Sequence, residues 1–259
     1  MTPLIILVAA IFAVAVLYSS VGHAGASGYL AVMAIVTQLP QEEMKAIALT
    51  LNIFVGSIGS YRFIRAGLFH WATFWPFGLC AVPMAFLGGH WQLPPEVFKP
   101  LIGAVLLFAA TNLILRAVRQ RGEDPNAPPV AGAREPNMPR LPAALLVGAG
   151  LGLLAGLTGT GGGIFLSPLL ILCNWADPKR TAAVSVVFVL LNSIAGLGGV
   201  VADLPALPPE LPFYITAAVG GGLIGSGLGA KRLPGTSIRV LLGVVLIIAA
   251  IKMFLAAFV

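Results

Sequence analysis

Long apolar runs separated by short polar clusters make up most of the 259-residue chain. A helix needs roughly 20 apolar residues to cross a bilayer. Eight runs come close to that length, at residues 3–21, 46–61, 71–89, 97–115, 141–158, 181–201, 211–230 and 238–258. Only 9% of the residues are charged, against about 25% in soluble domains. This pattern excludes a soluble core and predicts an all-α polytopic membrane protein.

The basic residues give the chain a net charge of +6. They are scattered among the segments between apolar runs, where positive charge sets the orientation of a membrane protein. We therefore expect the lipid bilayer as the partner and no nucleic acid. The sequence predicts neither a cofactor nor a metal site, and it leaves open whether the chain forms a homodimer.

An internal repeat divides the chain into two halves. An offset of 140 carries Asn52, Gly56 and Gly59 onto Asn192, Gly196 and Gly199, and the same offset matches nine identical residues between 89–110 and 229–250. Self-similarity of this kind indicates a duplicated fold. We predict a first repeat over 1–115, a polar, proline-rich linker over 116–140 and a second repeat over 141–259.

The distribution of Lys and Arg predicts that the second repeat is inverted, because cytoplasmic loops are enriched in these residues. With the linker inside, inversion places 12 of them inside and 3 outside, whereas parallel repeats give 8 and 7. Each repeat then consists of a hairpin, 3–37 or 141–174, and three full helices. In a bacterial cytoplasmic membrane both termini would lie outside and the linker inside. Lys45 and Arg180, near the starts of the helices after the hairpins, are interpreted as solvated loop charges. The alternative is that they supply positive charge at the mouths of the pathway, where a cytoplasmic Arg180 could recruit anions.

Glycine-rich breaks interrupt the two hairpins, at residues 19–28 and 157–163. Irregular backbone within a bilayer must line a cavity or be buried in protein. Transporters with inverted repeats use such breaks to turn the N-termini of half-helices toward an anion. The predicted substrate-binding residues are Ser20, Gly22, His23, Gly25, Ser27, Asn52, Thr158, Gly159, Thr160, Gly161, Gly162, Gly163 and Asn192.

Structural interpretations remain open for several of these residues. The Ser and Thr hydroxyls can instead bond to carbonyls of their own helices. The Asn52 and Asn192 pair either binds the substrate or braces the adjacent breaks. Gly56, Gly59, Gly196 and Gly199 are better explained by close helix packing, a common use of small residues in membranes.

His23 is the titratable residue that lies well within an apolar segment. Intramembrane ionisable groups are candidates for functional sites, and histidine titrates near neutral pH. The sequence therefore predicts a role for His23 in substrate binding or proton coupling. The alternative is a neutral histidine that bridges two helices.

The segment Leu157–Pro168, with the pattern L-T-G-x-G-G-G-x-x-x-x-P, resembles the signature of the TauE/SafE family of sulfite exporters. The resemblance covers almost the whole chain except the linker. It implies a secondary transporter that exports sulfite or a related small organosulfur anion. The first break departs from the motif, with His23, Ala24 and Ala26 facing Thr160, Gly161 and Gly163. We therefore expect a lopsided site.

Two other functions are compatible with parts of the sequence. A site lined by helix dipoles could conduct anions passively, as a channel. Residues 25–28 spell the GASG of rhomboid intramembrane proteases, in which Ser27 would need His70 or His90 as its base. Because Ser27 falls on Ile164 in the repeat, the sequence favours a transporter that is not an enzyme.

Overall fold

The computed structural model describes residues 2–20, 24–37, 39–120, 139–176, 178–201, 207–229 and 235–255. Within these ranges every regular element is an α-helix, which confirms the all-α prediction. The helices are α1 Thr2–Ser20, α2 Ala26–Val36, α3 Gln41–Arg65, α4 Trp71–His90, α5 Pro95–Gln120, α6 Leu141–Thr158, α7 Gly163–Leu172, α8 Pro178–Val201, α9 Leu211–Gly229 and α10 Gly235–Leu255.

Five of the described helices are long and apolar enough to cross a membrane, and they are α3 to α6 and α8. Shorter apolar stretches occur in α1, α2, α9 and α10. A soluble protein cannot place this much apolar surface on so many helices without aggregating. The prediction of a polytopic membrane protein is confirmed.

The helix bounds can be compared with the predicted repeats. Helix α5 continues to Gln120, into the segment predicted as the linker, and residues 121–138 of that segment lie outside the described residues. The two hairpins each contain a long helix followed by a short one, α1 with α2 and α6 with α7. The glycine breaks separate the members of each pair.

Small residues bring helices of different repeats into close contact. Gly148, Gly152 and Gly156 line one face of α6, and a Cβ at any of them would overlap a backbone carbonyl of α4. Gly221 and Gly225 of α9 meet carbonyls of α1 in the same way. Such spacing of small residues lets helix backbones approach closely in a membrane. The repeats are therefore joined by helix α4 against α6 and α9 against α1.

The glycines interpreted as packing residues differ in how tightly they are enclosed. A Cβ at Gly199 would overlap the Phe86 carbonyl, and one at Gly59 would lie 2.9 Å from Val186 Cγ2. At Gly56 and Gly196 the nearest atoms are at the ordinary distances of 3.6 Å and 3.5 Å. Close packing therefore requires glycine at two of the four positions.

Helices that are equivalent in the two repeats pack antiparallel. Along α3 the neighbours run from Ser193 at Asn52, through Leu190 at Gly56, to Val186 at Gly59. Helices α5 and α10 also run in opposite directions, with Gly103 at Phe254 and Gly243 at Ile114. An inverted duplication predicts this packing, since its twofold axis reverses each helix. The orientation in a membrane stays a prediction.

Among the described residues, two large apolar clusters form most of the core, beside a small one of Ala46, Leu49 and Val200. The larger joins α1, α2, α3, α5, α9 and α10. The other joins α4, α6, α7 and α8 around Phe77 and Phe188. Each short helix belongs to a different cluster, so the first turns of α2 and α7 meet where the two clusters adjoin.

Candidate functional site

Left-handed glycines form both breaks. Gly159, Gly161 and Gly162 have φ angles of 72°, 73° and 80°, and Gly25 has a φ of 102°. Residues other than glycine rarely adopt this region, because the Cβ crowds the backbone. Gly159 ends α6, Gly162 directly precedes α7, and Gly25 directly precedes α2. The glycines therefore turn the chain and start each short helix.

The N-terminal turns of the two short helices line one cavity of about 40 Å³. Ala26 and Ser27 contribute from α2, and Gly163 and Ile164 contribute from α7. The polar side chains in its described lining are Tyr18, Ser27, Asn52, Thr160, Ser167 and Ser185. A water needs roughly 10–15 Å³ on this measure, so the cavity holds about three waters or one small ion.

Backbone dipoles dominate the electrostatics of this cavity. None of the described side chains caps the N-terminus of α2 or α7. The first-turn N–H groups of a helix have no partner within it, and the helix dipole places positive potential there. The described lining contains no acidic or basic side chain. Two positive helix ends therefore meet at a cavity whose described lining is uncharged.

Hydroxyl pairs hold the walls of the cavity. Tyr18 and Ser27 share a hydrogen bond of 2.9 Å between α1 and α2. Ser167 Oγ donates to Ser185 Oγ at 2.8 Å, which joins α7 to α8. Each hydroxyl keeps unused lone pairs and can rotate its proton. These groups can therefore redirect hydrogen bonds to a bound anion.

The threonines of the second break behave differently from each other. Thr158 Oγ1 donates to the Leu154 carbonyl of its own helix at 2.6 Å and shares a bond of 2.9 Å with Thr160 Oγ1. Thr158 is fully buried, whereas Thr160 lines the cavity. The alternative of bonding within the helix applies to Thr158.

The two equivalent asparagines have unlike surroundings, although both are fully buried. Asn52 Nδ2 donates to the Thr160 carbonyl at 3.4 Å and to Ser193 Oγ at 3.3 Å. This geometry braces the second break, and Asn52 also lines the cavity. Among the described residues, neither amide atom of Asn192 has a hydrogen-bond partner, and the same is true of Asn52 Oδ1. Asn192 is not a lining residue of the cavity, so its predicted role in binding stays a prediction.

The structure brings together five of the predicted site residues, and they line the cavity: Gly25, Ser27, Asn52, Thr160 and Gly163. Thr158, Gly159, Gly161 and Gly162 shape the second break but are not lining residues. Gly22 and His23 lie outside the described residues, as does the side chain of Ser20. The substrate-binding roles of Ser20, Gly22 and His23 therefore stay predictions.

Sequence reasoning missed Tyr18, Ser167 and Ser185 in the cavity lining. The sequence positions of Ser167 and Ser185 could have indicated their role. Ser167 directly precedes the proline of the glycine motif, and Ser185 lies seven residues before Asn192, which is two helical turns on the same face. Tyr18 offered no such signal, because an aromatic residue in an apolar helix usually belongs to the core.

The structure contradicts the interpretation of Lys45 as a solvated loop charge. Helix α3 begins at Gln41, so Lys45 is helical, and it is only 1% exposed. A Cβ at Gly159 would lie 3.0 Å from the Lys45 Cα, so the lysine packs directly against the second break. Its Nζ donates to the Gly89 carbonyl at 3.5 Å. The prediction was wrong because the C-terminal end of α4, at Gly89, and the second break, at Gly159, lie against this turn of the helix.

Comparison with known proteins assigns the family. The family model described as Sulfite exporter TauE/SafE matches residues 7–253. The chain belongs to the TauE/SafE family. It is also similar to "Probable membrane transporter protein y4hK" of Sinorhizobium fredii (strain NBRC 101917 / NGR234), with 37% identity over 244 residues, covering 94% of this chain and 95% of that protein. No solved structure gives a significant match.

The TauE/SafE assignment confirms the resemblance read from Leu157–Pro168. The family model matches residues in both predicted repeats, so the relation to the family is not limited to the glycine motif. The helices, the family and the relative agree on a multi-pass membrane transporter.

Proposed function

We propose that this TauE/SafE protein is a secondary transporter that exports sulfite or a related small sulfur-containing anion across the bacterial cytoplasmic membrane. The main support for this proposal is that the uncapped N-termini of α2 and α7 line the same cavity. Helix N-termini are favourable positions for anions, because N–H groups and the dipole both face the ligand. Half-helices that meet in this way form substrate sites in other transporter folds.

The dimensions of the cavity favour a small oxyanion. A volume of about 40 Å³ admits an ion with few heavy atoms, such as sulfite, and excludes a long organic chain in this conformation. Serine and threonine hydroxyls can each donate one hydrogen bond to its oxygens. Ser27, Ser185 and Thr160 are suitably placed at the wall. We propose them as ligands together with the first-turn N–H groups.

Inverted repeats provide a mechanism for alternating access. In such folds one repeat rocks against the other around a fixed site. The antiparallel packing of α3 on α8 and of α5 on α10 supports this arrangement. With the linker in the cytoplasm, we propose that both termini lie outside. Accessibility of single cysteines at the two ends to an impermeant thiol reagent tests this orientation.

A passive anion channel is the second candidate, because the same neutral, dipole-lined cavity could conduct. A carrier exchanges a labelled anion against an unlabelled gradient, whereas a channel lets the label equilibrate without concentrating it. Saturable counterflow in proteoliposomes separates the two. We propose a carrier, because inverted repeats can rock against each other around a fixed site.

A protease is disfavoured by the surroundings of Ser27. Ser27 is only 4% exposed, and its Oγ shares a hydrogen bond with Tyr18. His70 and His90 are exposed at the ends of α4. A nucleophile needs its base within hydrogen-bond reach. We therefore propose that the protein is not an enzyme.

The test of function is uptake of radiolabelled sulfite, sulfate and methanesulfonate into proteoliposomes, with and without a pH gradient. Protein-free liposomes and Ser60→Ala, a buried hydroxyl of α3 away from the cavity, are the controls. We expect saturable sulfite transport. A wholly negative panel, with protein that is monodisperse in detergent, refutes the assignment.

Proton coupling through His23 stays part of the proposal. If His23 carries the coupled proton, His23→Gln abolishes the response of sulfite uptake to a pH gradient while counterflow persists. Unchanged dependence on the gradient in His23→Gln eliminates this role.

A further inference from the structure

The buried Lys45 packs against the second break but does not line the cavity, and its burial demands an explanation. It is 1% exposed, and moving an ammonium out of water costs several kcal/mol per ion unless it is paired. The one hydrogen bond that its Nζ makes within the described residues is to the Gly89 carbonyl, at 3.5 Å. This length exceeds the usual 2.7–3.2 Å. An ammonium carries three N–H donors, so two of them have no hydrogen-bond partner within the described residues, although Glu42, one turn earlier on α3, interacts with the charge.

The position of Lys45 connects it to the transport site. Its backbone contacts Gly159, the residue that ends α6 at the second break. It lies seven residues before Asn52 on α3, which is about 10 Å of helix. Asn52 in turn braces the break and lines the cavity. Lys45 and the cavity are thus both adjacent to the second break, Lys45 at Gly159 and the cavity at Thr160 and Gly163.

The repeat gives this position a counterpart. The offset that relates Asn52 to Asn192 relates Lys45 to Ser185. Ser185 lines the cavity, whereas Lys45 is packed in protein. Helices α3 and α8 run antiparallel and cross at Asn52 and Ser193. Lys45 and Ser185 therefore lie on opposite sides of this crossing. In an inverted repeat, a residue equivalent to a lining residue can become one when the halves exchange conformations.

We propose that Lys45 is a specificity-determining residue of the transport pathway, whose ammonium is the counter-charge for the anion on the side of the α3–α8 crossing opposite the cavity. The inference rests on the proposed function. The anion binds to neutral donors in the cavity and then meets a fixed positive charge as the repeats exchange. Lys45 thereby selects for charge, and the cavity selects for size.

A counter-charge has a consequence that a structural side chain lacks. At an effective dielectric constant of about 20, a unit charge roughly 10 Å away changes the binding constant of a monoanion about ten-fold. The effect scales with the charge of the ligand, so a dianion loses about a hundred-fold. Removing the ammonium should therefore lower the preference for dianions over monoanions by about ten-fold. A lysine that only caps the C-terminal carbonyls of α4 predicts equal changes for both.

The experiment measures inhibition of labelled sulfite uptake by sulfate, a dianion, and by methanesulfonate, a monoanion, in proteoliposomes at one ionic strength. The variants are Lys45→Met, which removes the charge at similar length, and Lys45→Arg, which keeps it. Lys99→Met is the matched control, because it removes the same charge from a half-buried position on α5. Folding is checked by gel filtration in detergent. Should Lys45→Met aggregate, Lys45→Gln, which retains a donor for the Gly89 carbonyl, replaces it.

We expect Lys45→Met or Lys45→Gln to weaken sulfate inhibition about ten-fold more than methanesulfonate inhibition. Lys45→Arg should stay within about three-fold of the wild-type ratio, and Lys99→Met should leave the ratio unchanged. An unchanged ratio in Lys45→Met, with sulfite uptake still measurable, overturns the inference and leaves Lys45 a structural cap. Absence of anion uptake in the wild-type protein instead contradicts the proposed function, so the two failures are distinguishable.

Discussion

Gly161 offers the sharpest test of why the second break is built from glycine. Its φ angle is 73°, and an alanine there costs about 1–2 kcal/mol in backbone strain. The added Cβ would lie 2.7 Å from Ser193 Oγ and 2.8 Å from Asn52 Nδ2. Moving these groups breaks the bonds of Asn52 to Ser193 and to the Thr160 carbonyl. Each bond contributes about 0.5–1.5 kcal/mol, so Gly161→Ala should cost roughly 2–5 kcal/mol.

Two other glycines separate the contributions to this cost. Gly67 has a similar φ of 69° but no atom within 4 Å of an added Cβ, so Gly67→Ala isolates the backbone strain. Gly150 lies in α6 with open space beside it, so Gly150→Ala should be neutral or slightly stabilising. The difference between Gly161→Ala and Gly67→Ala measures the contribution of the Asn52 brace.

The assay is thermal unfolding in detergent, recorded at one scan rate because membrane proteins commonly unfold irreversibly. A change of 1 kcal/mol moves the midpoint by about 2–4 °C in a chain of this size. We expect Gly161→Ala to lower the apparent midpoint by roughly 5–15 °C and Gly67→Ala by about 2–8 °C. Sulfite uptake should fall about ten-fold or more in Gly161→Ala alone. Equal midpoints and unchanged uptake in the two variants would refute the role of Asn52 as a brace.

Three further predictions concern packing and ligands. Gly152→Val should lower the free energy of unfolding by about 3 kcal/mol or more, because its Cβ would overlap an α4 carbonyl, whereas Gly150→Val should change it by less than about 1 kcal/mol. Equal unfolding midpoints in the two variants would contradict this packing. Asn192→Leu removes an unpaired amide, so it should raise the free energy of unfolding by about 1–3 kcal/mol while reducing sulfite uptake. A lower unfolding midpoint would show that the amide has a partner. Ser185→Ala should raise the KM for sulfite about 3- to 10-fold, unlike Ser60→Ala; equal KM values would remove Ser185 from the site.

The helices and the family could be predicted from the sequence with little loss. Each apolar run is long enough to require a helix, since backbone groups in a bilayer must bond within the segment. The glycine motif of Leu157–Pro168 was sufficient for the family, and the family model extends the match over both repeats. Helix ends were less predictable. Helix α5 continues to Gln120, because polar residues can extend a helix beyond the apolar run that nucleates it.

The candidate site was only partly predictable. Glycine breaks identified Gly25, Ser27, Thr160 and Gly163, because these residues are local to the break. Ser167 and Ser185 reach the cavity only through the packing of α7 on α8. Equivalent residues also have different environments within the described part of the chain, because Asn52 Nδ2 donates hydrogen bonds and Asn192 Nδ2 does not. No comparison of positions within the repeat could reveal that asymmetry.

By itself the sequence determined that the chain is a helical membrane protein of duplicated design, broken by glycines at two equivalent places. These properties follow from composition and local backbone freedom, which need no knowledge of neighbours. Only the tertiary structure decided that the two breaks share one cavity and that Lys45 is buried beside one of them. Both facts depend on which helices pack together across the repeats, and that packing joins residues more than 100 positions apart, such as Asn52 and Thr160.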